Sequence, residues 1–139
     1  MRVLIVQSNE DLSILWQRHL QRLGAIVECA RNEAQAVSLI EGSDFDVIVL
    51  DVVLSEGSAL SVADVAYFRS PKAKVVFVTD TTFFSDGSIF NHSANACAFV
   101  RLNTPAQDLA AIVQHYGKTA NRDETVKSDR EAAESLSSD

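Results

Sequence analysis

The stretch "VIVLDVVLSEGSAL", residues 47–60, is apolar except for Asp51 until it runs into a loop. Burying an ionised carboxylate costs on the order of several kcal/mol unless a cation or hydrogen-bond donors pair with it. What this chain can do therefore turns on what the fold brings to Asp51. Other apolar runs also close on residues to examine: Gln7 and Ser8 follow "RVLIV", Thr79 and Asp80 end "VVFVTD", and Leu102 and Asn103 end the run that contains "AFVR". His19, His92 and His115 are isolated from one another, and Cys29 and Cys97 have neither CxxC nor zinc-type spacing. Both cysteines read as small buried residues of strands in a reducing compartment.

These residues need elements to position them. "RVLIV" (2–6) is continuous and β-rich, as a strand buried on both faces is. A helix follows, with Leu12, Leu15, Trp16, Leu20 and Leu23 at helical spacing and Gly24 as its stop. "AIVECA" (25–30) is a second strand, and "NEAQAVSLIEG" (32–42) a helix with Ala36, Val37 and Ile40 on one face. "DVIVLDV" (46–52), the most hydrophobic run, is the expected central strand. Residues 58–70 form a helix that ends before Pro71, and 74–79 the fourth strand. Residues 81–96 are ambiguous, because Asp86-Gly87 breaks the helical pattern. "CAFVRL" (97–102) is the fifth strand. The last helix, 104–118, has Thr104 as N-cap, Pro105 at its first position and an apolar stripe of Leu109, Ile112, Val113 and Tyr116.

Strand alternating with helix five times implies an α/β domain, a five-stranded parallel sheet with helices on both faces. Ligands and chemistry collect at the carboxyl ends of such strands, where Gln7, Ser8, Asp51, Thr79 and Leu102 all fall. Residues 119–139 carry two large aliphatics, no aromatics, six acids and three basic residues. They cannot bury enough surface to offset their ordering entropy and are expected to be a disordered or frayed acidic tail. The domain is thus expected over 1–118.

The 139 residues suffice for one domain without disulfide or metal staples. The net charge of −7, with 12 basic residues scattered along the chain, argues against nucleic acid as a partner. No run approaches a membrane span, and "MRVLIVQS" is too short in its apolar part for a signal peptide, so a cytoplasmic protein is expected.

Asp51 ending strand 3, Thr79 ending strand 4, and the stretches "RVLIVQSNEDLSILWQRHLQRLG", "DFDVIVLDVVLSEGSAL", "VVFVTD" and "AFVRLNTPAQDL" together resemble the receiver domain of bacterial response regulators over residues 1–118. The resemblance implies a doubly wound (βα)5, flavodoxin/CheY-like sheet with strand order 2-1-3-4-5. It makes Asp51 the phosphoacceptor candidate, fed by a histidine kinase or phosphotransfer protein, and Thr79 and Phe99 the switch candidates. In that family Mg²⁺ is held by two acids after strand 1, by the phosphoacceptor and by a main-chain carbonyl two residues on. A lysine ending strand 5 adds a second cation.

This chain departs from the pattern where charge is needed. The acidic pair falls on Gln7 and Ser8, neutral groups where a hard cation prefers carboxylates. Glu10 and Asp11 lie nearby, but at the start of helix 1, where acids favour the helix dipole. The lysine position falls on Leu102 and the following proline on Asn103; Leu54-Ser55 and Ala59 also depart, and Asp80 adds negative charge. Losing one fixed electrostatic donor costs about 10²–10³ in rate, and here two cationic features are impaired. No cofactor is expected, Mg²⁺ binding is expected to be weak or absent, and no enzymatic activity is expected. Asp51 is then either a relic carboxylate, hydrogen-bonded to Gln7, Ser8, Thr79 or backbone amides, or a residual phosphoacceptor.

Two functions follow from these residues. The leading one is a stand-alone pseudo-receiver in two-component or phosphorelay signalling, acting by protein–protein contact with a kinase, phosphotransfer protein or other signalling protein. The alternative is a slowly or conditionally phosphorylated single-domain response regulator. A flavodoxin-like cofactor enzyme shares the architecture, but "QSNEDLS" lacks the glycine of a phosphate loop and carries two acids. Phe83 and Phe84 cannot both face a core from one helix, so one of them is a candidate anchor for a partner. The resemblance also implies a candidate surface for a homodimer, the face that receivers build from their fourth helix, fifth strand and fifth helix.

Overall fold

In a computed structural model that describes residues 1–79 and 96–118, the elements run β1 (Arg2–Val6), α1 (Glu10–Arg22), β2 (Ile26–Ala30), α2 (Glu33–Gly42), β3 (Val47–Asp51), α3 (Ala59–Arg69), β4 (Lys74–Thr79) and β5 (Ala96–Arg101). A terminal helix covers 106–118. The five strands form one parallel sheet in the order β2-β1-β3-β4-β5, the order that the sequence implies. Phe83, Phe84, Asp80, His92, the ambiguous 81–96 segment and the 119–139 tail lie outside the described residues, apart from Ala96, which opens β5.

Every residue of β3 is buried, which explains its unbroken hydrophobicity. Alternation along the strands divides the core. Leu4, Val6, Ile48, Leu50 and Phe77 face α2 and α3, whereas Val3, Ile5, Val49 and Val78 face α1 and the terminal helix. Fully burying one such side chain is worth about 1.5–3 kcal/mol, so the sheet is a stiff base for the loops at its carboxyl end.

Local chemistry sets the helix ends. Asn9 and Asn32 cap α1 and α2 by accepting from the Leu12 N–H at 3.1 Å and the Gln35 N–H at 2.9 Å. Gly24 ends α1 with φ +87°, a left-handed backbone that suits glycine. The terminal helix starts later than its sequence signals indicate. The Leu109 N–H donates to the Pro105 carbonyl, so Pro105 takes the cap position and the helix begins at 106.

Two expectations about burial are corrected. Cys29 is exposed and Cys97 half-buried, each lying on an edge strand of the described sheet. Packing against the second core layer pushes the Cys97 thiol up to about 11, burial being the main cause. Leu15 and Leu23 are also exposed, whereas Ser13 is buried with Trp16 and Leu20. The buried stripe of α1 passes through a serine, which a hydrophobicity pattern skips.

Candidate functional site

Gln7 directly follows β1 and Asp51 ends β3, and these strands are neighbours in register, with Val6 opposite Leu50. The pairing places the two side chains together. The Gln7 Nε2 amide donates to Asp51 Oδ2 at 2.7 Å, while Gln7 Oε1 accepts from the Asn9 N–H at 2.9 Å. That second bond fixes which end of the amide faces the carboxylate, since a backbone N–H can only donate. The other carboxylate oxygen, Asp51 Oδ1, accepts from the Val53 N–H at 2.9 Å.

Both groups are removed from water, Asp51 being 7% and Gln7 2% exposed. Burial raises the Asp51 pKa above the ordinary carboxylate value, and the Val53 N–H and the Gln7 amide oppose that rise. Gln7 and a backbone amide hold Asp51, but Ser8 is engaged elsewhere. Its Oγ donates to the Arg31 carbonyl at 2.8 Å and accepts from the Ser55 N–H at 2.9 Å, tying the loops after β1, β2 and β3 together.

The remaining candidates sit around this pair. Thr79 is buried at 3% exposure and lies one step beyond Val78, the register partner of Asp51. Its carbonyl accepts from the Leu102 N–H at 2.7 Å. The half-buried Leu102 side chain packs against the second apolar layer, so the position where a lysine was sought carries an apolar contact. Phe99 stacks on Phe77 with ring centroids 5.4 Å apart and an interplanar angle of 16°, and it packs on the first layer.

Glu10 is paired with Arg31 at 2.9 Å, both well exposed, and Asp11 is exposed in the first turn of α1. Among the described residues, no three His, Cys, Asp or Glu side chains come together as a metal site would require. His115 meets the Tyr116 ring edge-on at 5.2 Å.

Sequence reasoning missed Glu33. Its Oε1 accepts from the Ser58 N–H at 2.7 Å, and its own N–H donates to the Glu56 carbonyl at 3.3 Å. Gly57 has φ +89°, and a Cβ there would collide with the Glu33 side chain. The signal was "RNEAQ" after β2, a cap followed by an acid, facing a glycine in the loop after β3. The arrangement as a whole is a neutral amide and a backbone N–H holding one buried carboxylate, with serine and glutamate fixing the loop beside it.

The fold is that of solved receiver domains. It is similar to a CheY-like response regulator receiver domain protein from Methanospirillum hungatei JF-1, with a TM-score of 0.79 and 21% identity over 88% of this chain and 97% of that one. The receiver domain of HemR from Leptospira biflexa, solved non-phosphorylated, gives a TM-score of 0.74 and 20% identity over 84% and 93%. A response regulator protein from Burkholderia pseudomallei, solved with a phosphorylated aspartic acid, a calcium ion and citrate, gives 0.69 and 20% over 91% and 74%. No protein-family model and no curated protein matches the sequence. At these identities the likeness establishes the fold, and the reading of function rests on the residues.

Proposed function

We propose that the chain is an atypical receiver, a pseudo-receiver of two-component or phosphorelay signalling that works by protein–protein contact and does not hold Mg²⁺. The observation that carries this reading is the Gln7 amide on Asp51 Oδ2. A receiver's metal needs oxygen donors, preferably charged ones, turned toward the phosphoacceptor. Gln7 turns an N–H toward it instead, its amide oxygen is committed to Asn9, and Ser8 is committed to Arg31 and Ser55. This donor set does not fit a divalent cation. With a leucine at 102, packed against the second apolar layer, no lysine stands at that position to stabilise an incoming phosphoryl group either.

On this reading the chain performs no chemistry of its own and its partner is another signalling protein. The test is a set of amide NMR spectra of the full chain with and without Mg²⁺ and beryllofluoride, an aspartyl-phosphate mimic, beside an Asp51→Asn control. The expected result is no change at Asp51, Thr79 or Phe99 beyond that seen in the control. A saturable response centred on those three residues would overturn the proposal in favour of a conditionally phosphorylated response regulator.

A further inference from the structure

Resting on the contact-signalling reading, we propose that the loop from β3 to α3 forms a preorganised docking groove for a protein segment that carries a large apolar side chain flanked by Lys or Arg. The groove is an open depression of about 330 Å³, lined by Val52, Val53, Leu54, Ala59 and Leu60 together with Gly57 and Ser58. That volume is at the low end of the range for ligand pockets. It suits a side chain better than a cofactor. Val53 is 57% exposed and its backbone N–H is held by the buried Asp51.

The loop is held before any partner arrives. Val53 is tied to Asp51, Ser55 to Ser8, and Ser58 to Glu33, and the Glu33 N–H closes on the Glu56 carbonyl. A surface fixed in this way loses little conformational freedom on binding. All three side-chain acceptors lie in the described structure, so the groove requires no phosphoryl group or metal to form.

Charge selects the occupant. Glu33 and Glu56 flank Gly57 and Ser58, and neither takes part in an ion pair among the described residues. Arg31, the cation of the neighbouring turn, is already paired with Glu10. An apolar groove with an acidic border in a chain of net charge −7 favours and steers a basic segment.

The test uses the full ¹⁵N-labelled chain and three amidated hexapeptides: Lys-Arg-Leu-Leu-Arg-Lys, the same peptide with both leucines replaced by alanine, and Asp-Glu-Leu-Leu-Glu-Asp. The first should give saturable shifts confined to residues 52–60 and Glu33, and the other two should bind at least about tenfold more weakly. Glu33→Gln combined with Glu56→Gln keeps an acceptor for the Ser58 N–H and removes both charges. It should weaken the first peptide about threefold to tenfold, the size expected of screened surface charges. Shifts elsewhere, an equal response to the acidic peptide, or affinity unchanged in the double variant would each overturn the proposal. Concentration-dependent shifts at 52–60 without peptide would overturn it as well, by assigning the groove to a second copy of the chain. If the peptides and beryllofluoride are both silent at their sites, this inference fails alone; a beryllofluoride response at Asp51 removes the reading beneath it.

Discussion

At the amino end of the sheet, Arg2 meets Glu28 at 3.6 Å, lies 5.6 Å from the centroid of the Phe45 ring and donates its backbone N–H to Asp46 at 2.8 Å. At the carboxyl end, Asp51 meets an amide and a backbone N–H, and no described cation is ion-paired with it. Judged by formal charge, the amino end is the stronger electrostatic site. Burial reverses that judgement. The Arg2 and Glu28 side chains are 41% and 37% exposed, so water screens the pair and its net worth is small. Asp51 and Gln7 are nearly dry, and each bond they make replaces water that is no longer present.

The sharpest way to break this comparison is Gln7→Ala. It strands a buried carboxylate oxygen and removes the acceptor of the Asn9 N–H, so a loss of about 2–3 kcal/mol is expected in urea unfolding at neutral pH. The pH dependence has a definite sign. Burial raises the folded pKa of Asp51 above its ordinary value of 3.8, so between those two values the folded chain binds more protons than the unfolded one. This group's contribution to stability is therefore greatest below 3.8 and falls as pH rises through the raised folded value. The Gln7→Ala penalty should shrink as pH is lowered through that window, because a protonated Asp51 needs the amide less. A penalty of equal size across the window would mean that Gln7 acts by packing alone, and the two ends would then differ less than their burial implies.

The sheet itself was legible because its signals are local and redundant. The runs of β1, β3 and β4, the stop at Gly24 and the stripe of the terminal helix each depend on residues close in sequence. The absence of charge at Gln7, Ser8 and Leu102 could be read from residue type alone. What each of these residues does instead could not. That Leu102 packs against the second apolar layer, that Ser8 reaches Arg31 and Ser55, and that Glu33 holds Ser58 all depend on which loops the strand order makes adjacent. The exposure of Cys29 and Leu15 was missed for a related reason. Apolar character marks what a residue tolerates, and the edge of a sheet or the turn of a helix decides what it receives.

A smaller effect refines the carboxyl end. Ser8→Ala removes one hydroxyl that both donates and accepts, on a half-exposed loop where water can replace part of what is lost. A destabilisation of about 1 kcal/mol is expected, with faster hydrogen exchange at the Ser55 N–H and little change at the Val53 N–H, which Asp51 holds independently. Equal acceleration at both sites would show that the two ties act as one unit.

The smallest effect is expected at the amino end, from Arg2→Met, which keeps most of the apolar contact with Phe45 and removes the charge. The Arg2 backbone N–H still donates to Asp46, and the ion pair that is lost is long and joins two side chains that are each more than a third exposed. Within that pair, Arg2 Nε and Glu28 Oε2 are buried atoms without a hydrogen-bond partner. Removing the guanidinium relieves one of these as it sacrifices the attraction. An exposed pair contributes about 0.2–1 kcal/mol and the cation–π contact about 0.5–1 kcal/mol, so the net loss should stay near or below 1 kcal/mol. Part of it should vanish in high salt, since the Debye length falls to about 3 Å at 1 M. A salt-independent loss above about 2 kcal/mol would mean that the amino end depends on its charge as strongly as the carboxyl end depends on its amide, and burial would no longer explain the difference between them.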